Sequence, residues 1–250
     1  MAMTTEVPDE HPRSDSLRTR HRIEAGVDAG LTHKQGLIAE GRGEAFDYLL
    51  GERTIPSAER AERAAAAHLL RAEQPVISVN GNAAALVPDG IVALADATGA
   101  TIEVNLFNRT DERVAAIADH LRAHGATEVE GEHADARIPG LASERAKVAA
   151  DGIHAADVVL VPLEDGDRAE ALDEMGKVEV VVDLNPLSRS PQVAAVPVVD
   201  NLVRAIPNIA AHARALADRS AADRERAIDE FDREEALEAA EQTIRTGELD

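Results

Sequence analysis

Asp157-Val-Val-Leu-Val-Pro162 runs into Leu163-Glu-Asp-Gly-Asp-Arg168, and Val178-Glu-Val-Val-Val182 runs into Asp183-Leu-Asn-Pro-Leu-Ser-Arg-Ser190. These two stretches decide the fold. Each is a continuous apolar run that empties into a polar loop, and runs without alternation belong to strands covered on both faces. The segment between them, Arg168 to Met175, reads as a helix. Working outward, Pro75-Val-Ile-Ser-Val79, Thr101-Ile-Glu-Val-Asn-Leu106, a weaker Thr127 to Glu130 and Ala194 to Val199 supply further strands. Thr110 caps a helix that runs to about His124, and Leu202 to Ala217 forms another. Strands alternating with helices imply an α/β fold with a mostly parallel sheet and helices on both faces.

The first third reads as helical. Leu17, Ile23 and Val27 recur at helical spacing between residues 14 and 30, Gly43 to Leu50 gives a short helix, and Pro56 opens the strongest helical signal, Ser57 to Ala72. The C-terminal segment from Ser220 to about Gly247 reads as one or two charged helices. Its apolar positions (Ile228, Phe231, Leu237, Ile244) are sparse, which suits an outer layer or a subunit boundary; the last few residues are expected to fray. One unit is the simpler organisation: a helical layer over 1–72, an α/β core over 73–218 and a helical tail over 219–250.

Composition narrows the setting. Apolar residues make up 44% of 250, enough for a sizeable core, but aromatics only 2%, so that core is aliphatic. No cysteine is present, which excludes disulfides and thiolate chemistry. No long apolar run spans a membrane and the N-terminal residues lack the pattern of a signal peptide, so a cytoplasmic protein is expected. The net charge is −21, with 47 acidic against 26 basic residues. Lysine is scarce (Lys34, Lys147 and Lys177), the composition expected of a protein working in molar salt. The acids are dispersed through periodic segments rather than gathered as in a nucleic-acid mimic, and no basic face offers itself to nucleic acid. Where lysine is this rare, Lys34 and Lys147 are candidates to touch anionic ligands, whereas Lys177 answers a helix C-terminus.

In an open parallel sheet, ligands bind beyond the carboxyl ends of the strands. The loops to weigh are therefore Asn80-Gly81-Asn82, Phe107-Asn-Arg-Thr110, Leu163 to Arg168, Asp183 to Ser190 and Asp200-Asn201. Five strand ends carrying polar clusters are expected to converge on one rim. A turn is the plainer reading of Asn80-Gly-Asn82, and Glu164-Asp-Gly-Asp167 suits either Mg²⁺ or a solvated acidic loop. Arg42, in Glu40-Gly-Arg-Gly-Glu44, is a stronger anion-binding candidate, because flanking glycines leave its guanidinium unobstructed. The nine histidines show no metal spacing, and no metal ligands are assigned. There is no GxxxxGK[ST], no GxGxxG after the first strand and no G-x-S-x-G, which counts against P-loop, nicotinamide-dinucleotide and α/β-hydrolase chemistry.

Several irregular strings carry a resemblance: His11-Pro-Arg13 with Arg20, Gly36-Leu-Ile-Ala-Glu-Gly-Arg-Gly-Glu-Ala-Phe-Asp-Tyr-Leu49, Ser78-Val-Asn-Gly-Asn82, Val161 to Arg168, Asp183 to Ser190, and Val199-Asp-Asn201. Together they resemble the archaeal phosphopantothenate synthetases (4-phosphopantoate–β-alanine ligases) of coenzyme A synthesis. The likeness spans about His11 to Asn208 and fades beyond. Glu40 departs from it, standing where a histidine is expected. The resemblance implies a Rossmann-like fold, a homodimer, an archaeal source (halophilic on the composition above), and a reaction in which ATP, 4-phosphopantoate and β-alanine give 4'-phosphopantothenate, AMP and diphosphate. It places ATP contacts on Arg20, Arg42, Asp183, Leu184, Asn185, Arg189, Ser190, Asn201 and Leu202. Arg20, Arg42 and Arg189 would then hold phosphates or developing charge, Mg²⁺ would bridge the leaving diphosphate, and Lys34, Asn80, Gly81, Asn82 and Lys147 are the weaker substrate candidates. Two other classes share such a rim: a kinase of a small organic acid, which releases ADP, and a nucleotide sensor without turnover.

Overall fold

Proline and short side chains set the entry to the structure, a computed structural model that describes residues 7–248 except position 9. Three helices come first: α1 (Ser14–Asp28), α2 (Gln35–Leu50) and α3 (Pro56–Arg71). Pro56 starts α3 at a position whose N–H needs no helical partner. Then come β1 (Pro75–Val79), α4 (Gly81–Leu86), α5 (Pro88–Thr98), β2 (Thr101–Val104), α6 (Asp111–Ala123) and β3 (Val129–Glu130). After a short antiparallel ribbon pairing 136–137 with 147–148, and a helical turn over Ala150–His154, the chain continues with β4 (Val158–Pro162), α7 (Gly166–Glu174) and β5 (Val178–Asp183). The remaining elements are α8 (Arg189–Val193), β6 (Val196–Val199), α9 (Leu202–Ala217), α10 (Ala221–Asp229) and α11 (Arg233–Thr246).

The sheet runs β3-β2-β1-β4-β5-β6 with every pair parallel. Consecutive halves wind in opposite directions from β1 and β4, so the strand order reverses between those two strands, as in the Rossmann arrangement. The two faces of the sheet differ in chemistry. Ile77, Val79, Ile102, Val104, Leu160, Val180, Val182 and Val198 turn to one face, where they pack against the Ala- and Leu-rich sides of α3, α5, α6 and α9. With so few aromatics, alanines such as Ala61, Ala64 and Ala65 let these helices approach closely.

The opposite face alternates with it, and there Val76, Val159 and Val161 are interrupted by Ser78, Glu103, Asn105 and Glu179, all buried. The ribbon, the turn at Ala150–His154 and α7 cover this face. Glu103 accepts the backbone N–H of Ala149 at 3.1 Å and of Ile153 at 2.6 Å, fixing the turn to β2. Burial still lifts its carboxyl to about 7 against those two bonds. Gly152 sits so close to Glu103 Oε2 that any Cβ there would overlap it.

Several sequence expectations need correction. The helix placed over Gly43 to Leu50 begins at Gln35 and runs through Gly36, Gly41 and Gly43. Glycine disfavours a helix interior by about 1 kcal/mol, but packing on α1, α4 and α11 overrides propensity here. Arg42 is thus a mid-helix residue rather than a loop residue. The strand from Thr101 ends at Val104, and Arg189 and Ser190 open a short helix instead of lying in a loop. The C-terminal segment forms two helices. Ser220 and Asp223 make a reciprocal capping box at the start of α10, and Leu237 and Ala240 of α11 pack with Phe46, Leu50, Ile55 and Val199 as an outer layer. No helix among the described residues is long and apolar enough to cross a membrane. The reading of the extreme N-terminus as lacking a signal peptide, and the expected fraying at 249–250, fall wholly or partly outside the described residues.

One buried carboxylate gives this fold a pH dependence. Glu62 of α3 is fully buried and accepts from Asn208 Nδ2 at 3.1 and 3.3 Å. Burial, and then the nearby Asp200, raise its pKa to about 9. The folded protein therefore keeps a proton on Glu62 that the unfolded chain releases near 4.5. Its contribution is complete below that value and is lost as pH rises towards about 9. Glu62→Gln retains an acceptor for Asn208 and is expected to flatten the fall in Tm between about pH 5 and 9; parallel Tm–pH curves for the two proteins would contradict this assignment.

Candidate active site

At the point where strand order reverses, two loops are tied together by one side chain. Asn80 follows β1 in extended conformation, caps α4 by accepting from Ala83 N at 3.0 Å, and donates Nδ2 to Pro162 O of β4 at 2.9 Å. Asn80-Gly-Asn82 is therefore more than a turn: it latches β1 to β4. Next to it Asn82, buried, donates to Gly36 O at 3.0 Å and holds α2 over the strand ends. A side chain at Gly36 would overlap Asn82, so that contact requires glycine. Across the latch, Leu163 has φ 55°, the left-handed region that a branched side chain resists. It is the one non-glycine residue with positive φ among the described residues, and its N–H bonds Val182 O at 2.9 Å. Such strain concentrates at functional sites. Its consequence here is local: the turn sends Glu164 inward.

Glu164 meets two guanidinium groups. Arg168 Nη1 donates to Oε2 at 2.7 Å, and Arg145 Nη1 lies 3.4 Å from Oε1. Arg168 also reaches Ser78 Oγ at 3.1 Å, and Ser190 Oγ donates to Glu164 O at 3.0 Å. Asn105 secures Arg145 from both sides, accepting its Nε at 3.3 Å and donating to the carbonyls of Arg145 and Lys147. Burial alone would raise the Glu164 carboxyl, but Arg168 and Arg145 more than offset it and hold it below the usual range. Glu179, beside it on β5, goes the other way: burial and the Glu164 charge push it up to about 9, so it carries the proton of the pair.

Helix α2 is a wall with a cavity on each side. Gly36, Ala39 and Arg42 face a cavity of about 320 Å³ over the ends of β1, β2 and β4, lined also by Asn80–Asn82, Phe107, Asn108, Arg113, Arg145 and Leu163–Asp165. Leu37, Glu40, Gly41, Glu44 and Asp47 face a second, of about 250 Å³, shared with α1 through Ser16, Thr19 and Arg20, and with Asn201 after β6. Arg204 fixes α2 to that last loop, bonding Asp47 and Asp200 at 2.6 Å each, while Asn201 Nδ2 bonds Asp47 at 2.9 Å and Thr54 bonds Asp200 at 2.6 Å. Inside the second cavity Glu40 Oε1 is buried without a partner, and burial, then Asp47 and Glu44, raise its carboxyl to about 7.

The predicted site residues divide between these places. Arg42 and Asn80–Asn82 line the first cavity; Arg20 and Asn201 line the second, with Leu202 buried behind Asn201. Arg20 and Arg13 both pair with Glu44. Asp183 organises the loop after β5, accepting the N–H groups of Leu184 (2.7 Å) and Asn185 (3.2 Å) and the Ser188 hydroxyl (2.9 Å). Arg189, well exposed, pairs with Asp167 at 2.6 Å and Glu170 at 3.4 Å. The acidic loop proves neither free nor purely solvated: Glu164 is internal, Asp165 caps α7 and Asp167 holds Arg189. Among the described residues no cluster of three or more His, Asp or Glu is placed to hold a metal ion.

Neither Lys34 nor Lys147 lines either cavity; Lys34 precedes α2, and Lys147 pairs with Glu144 on the ribbon at 2.8 Å. Lys177, expected to answer the end of the helix before it, instead donates from a buried position to the carbonyls of His154 and Ala156. Sequence reasoning missed Arg113, Arg145, Arg168, Asn105 and Glu179. For Glu179, as for Glu103, a signal was present: a lone carboxylate inside an apolar strand must find partners or a proton.

Comparison with known proteins places the chain in a family. The family described as phosphopantothenate/pantothenate synthetase matches residues 57–247, so the likeness extends through the C-terminal helices rather than fading at Asn208. The chain is 59% identical to a 4-phosphopantoate–β-alanine ligase of Methanosarcina mazei over 210 residues, covering 84% of this chain and 83% of that protein. Ligases of the same name from Thermococcus onnurineus and Thermococcus kodakarensis are each 55% identical over 232 residues, 92% of this chain and 89% of theirs.

Proposed function

This chain belongs to the phosphopantothenate/pantothenate synthetase family, and from that premise we propose that it condenses 4-phosphopantoate with β-alanine at the expense of ATP, yielding 4'-phosphopantothenate, AMP and diphosphate for coenzyme A synthesis. The observation that carries this reading is the first cavity, where Arg42, Arg113 and Arg145 gather around the Asn80 latch at the reversal of strand order. Three guanidinium groups in one small cavity suit a reaction among anions. The carboxylate of the acid attacks the α-phosphorus of the nucleotide, the P–O bond to diphosphate breaks, and an acyl adenylate forms. The unprotonated β-alanine amine then attacks the acyl carbon and AMP departs with the bonding pair. Positioning and charge neutralisation dominate such transfers.

In this reading Arg42, Arg20 and Arg189 are the guanidinium groups assigned to the nucleotide phosphates, with Arg42 in the first cavity, Arg20 across α2 in the second and Arg189 in neither. Arg20 and Arg189 exchange their present partners, Glu44 and Asp167, for phosphate oxygens; exposed pairs of this kind are weak and are readily given up. Asp183, Leu184, Asn185, Ser190, Asn201 and Leu202 form the neighbouring strand-end loops assigned to the rest of the nucleotide. Mg²⁺ fits as an ion brought with the nucleotide, since no protein cage is present among the described residues, and Asp165, which lines the cavity, is the carboxylate we assign to it. When bound it neutralises phosphate charge.

The same reading includes a homodimer. Ile38, Tyr48 and Leu49 of α2 are exposed, at 78%, 77% and 61%, and with Gly41 and Ala45 they form an apolar stripe at helical spacing. We assign this stripe to the contact between two copies. Ile38→Asp with Tyr48→Asp is expected to halve the mass measured by light scattering; a monomeric wild-type protein would overturn the assignment.

Adenylate chemistry is tested by exchange of labelled diphosphate into ATP. Exchange is expected with 4-phosphopantoate present and β-alanine absent, and Arg42→Ala is expected to lower its rate about 100-fold, the scale typical of losing one charged transition-state donor. Exchange that needs β-alanine would contradict the order of steps; a normal rate in the variant would contradict the role of Arg42.

A further inference from the structure

A further cavity, of about 340 Å³, opens where the corner between α4 and α5 meets the end of α6 and the first turns of α9. No strand-end loop contributes to it, and the ligase reading gives it no task. Val87, Pro88, Val203 and Pro207 are its apolar walls, and its polar side is a pair of imidazoles, His120 and His124. Spacing alone assigns the histidines no metal, but the fold gives this pair surroundings that mere packing does not require.

His120 and His124 stand one turn apart at the end of α6, so both rings project from one face. Their centres are 4.6 Å apart and their planes are inclined by 59°. Asp89, in the first turn of α5, lies 2.7 Å from His124 Nδ1. A carboxylate there fixes the ring proton on Nδ1 and leaves Nε2 with its lone pair. The carbonyl of Ala84 favours an N–H on the ring of His120, while Nε2 of that ring is buried without a hydrogen-bond partner. With Nε2 unbonded, the N–H falls to Nδ1. Each ring is thus braced by an acceptor at one nitrogen and offers the other, which is the setting of a metal-bound histidine.

The ring spacing selects the ion. An imidazole nitrogen about 2.0–2.1 Å from a metal puts its ring centre about 3.2 Å from that metal. Two such rings at a right angle have centres about 4.6 Å apart, and at the tetrahedral angle about 5.2 Å. The separation of 4.6 Å in this protein matches the right angle. Nitrogen pairs of that kind belong to tetragonal Cu²⁺ or Ni²⁺, whereas structural Zn²⁺ is tetrahedral. No cluster of three His, Asp or Glu stands here or elsewhere among the described residues, so water completes the coordination. Arg22 also lines the cavity, and its Nη1 donates to the carbonyl of Leu86 at 3.2 Å.

We propose that His120 and His124 form a two-imidazole site for one divalent transition-metal ion of tetragonal preference, Cu²⁺ or Ni²⁺, with Asp89 as the positioning residue behind His124. The site is separate from the ligase chemistry and does not depend on it. Its bound ion ties the end of α6 to the corner between α4 and α5.

Cu²⁺ alone, titrated into the full chain without a tag, is the probe, read by calorimetry and by electron paramagnetic resonance. One ion per chain is expected, with an axial signal split by two imidazole nitrogens. His124→Ala, at the exposed end of α6, is expected to abolish the two-nitrogen signal, and His120→Gln to do the same. Asp89→Asn is expected to keep the signal but to weaken binding 10- to 100-fold, the usual loss when a partner behind a ligand is removed. Should the His120 variant fail to fold, His124→Ala decides alone. The same signal and affinity in His124→Ala would place the ion on other histidines or on surface carboxylates and overturn the site, as would a wild-type protein that binds no Cu²⁺. Affinity unchanged in Asp89→Asn would remove the role given to Asp89.

Discussion

A single internal carboxylate, Glu164, shared between Arg168 and Arg145, is the constraint on which the site depends. Charges this deep cost several kcal/mol each to desolvate unless paired, so the protein must bring their partners together from distant parts of the chain. Leu163 takes a left-handed backbone to turn Glu164 inward, Asn105 keeps its N–H on Val79 O of β1 while its side chain is committed to Arg145, and Arg145 comes from the segment leading into the ribbon. Breaking any one of these strands a charge. The arrangement explains why one face of the sheet is polar although buried: Ser78 and Glu179 within their strands, and Asn105 just past the end of β2, face the same cluster.

A second buried ion pair does for α2 what the first does for the sheet. Arg204 reaches from α9 to Asp47 on α2 and Asp200 after β6, and Asn201 joins the same group. A helix with glycine at 36, 41 and 43 would be poor on propensity alone; held by Asp47 at one end and Asn82 at the other, it becomes the partition between two cavities. One of the glycines that weaken it is used, since Gly36 lets Asn82 approach.

Much of the fold was legible because its signals are local. The unbroken apolar runs at Asp157–Pro162 and Val178–Val182 and the helical stretches between them need no tertiary information; of the five strand-end loops expected on one rim, three line the first cavity, Asn201 lines the second and Asp183–Ser190 lines neither. Arg42 lines the first cavity from within a helix rather than from a loop, since only packing pays for those glycines. Arg113 and Arg145 were invisible for a different reason. Each is one arginine among many on an amphipathic or irregular segment, and what sets it apart is a single buried nitrogen left without a partner, a property no sequence displays. Lysine scarcity likewise pointed to Lys34 and Lys147, whereas the lysine that burial commits is Lys177.

The central claim is a ligase that passes through an acyl adenylate at the reversal of strand order, and separation of nucleotide products tests it most directly. Purified protein in molar KCl with Mg²⁺ receives ATP, 4-phosphopantoate and β-alanine, each omitted in turn. The account predicts AMP in step with 4'-phosphopantothenate, and only when both organic substrates are present. ADP as the product would mean transfer of the γ-phosphate and a different enzyme, and folded protein that leaves ATP intact with every substrate present would contradict catalysis altogether.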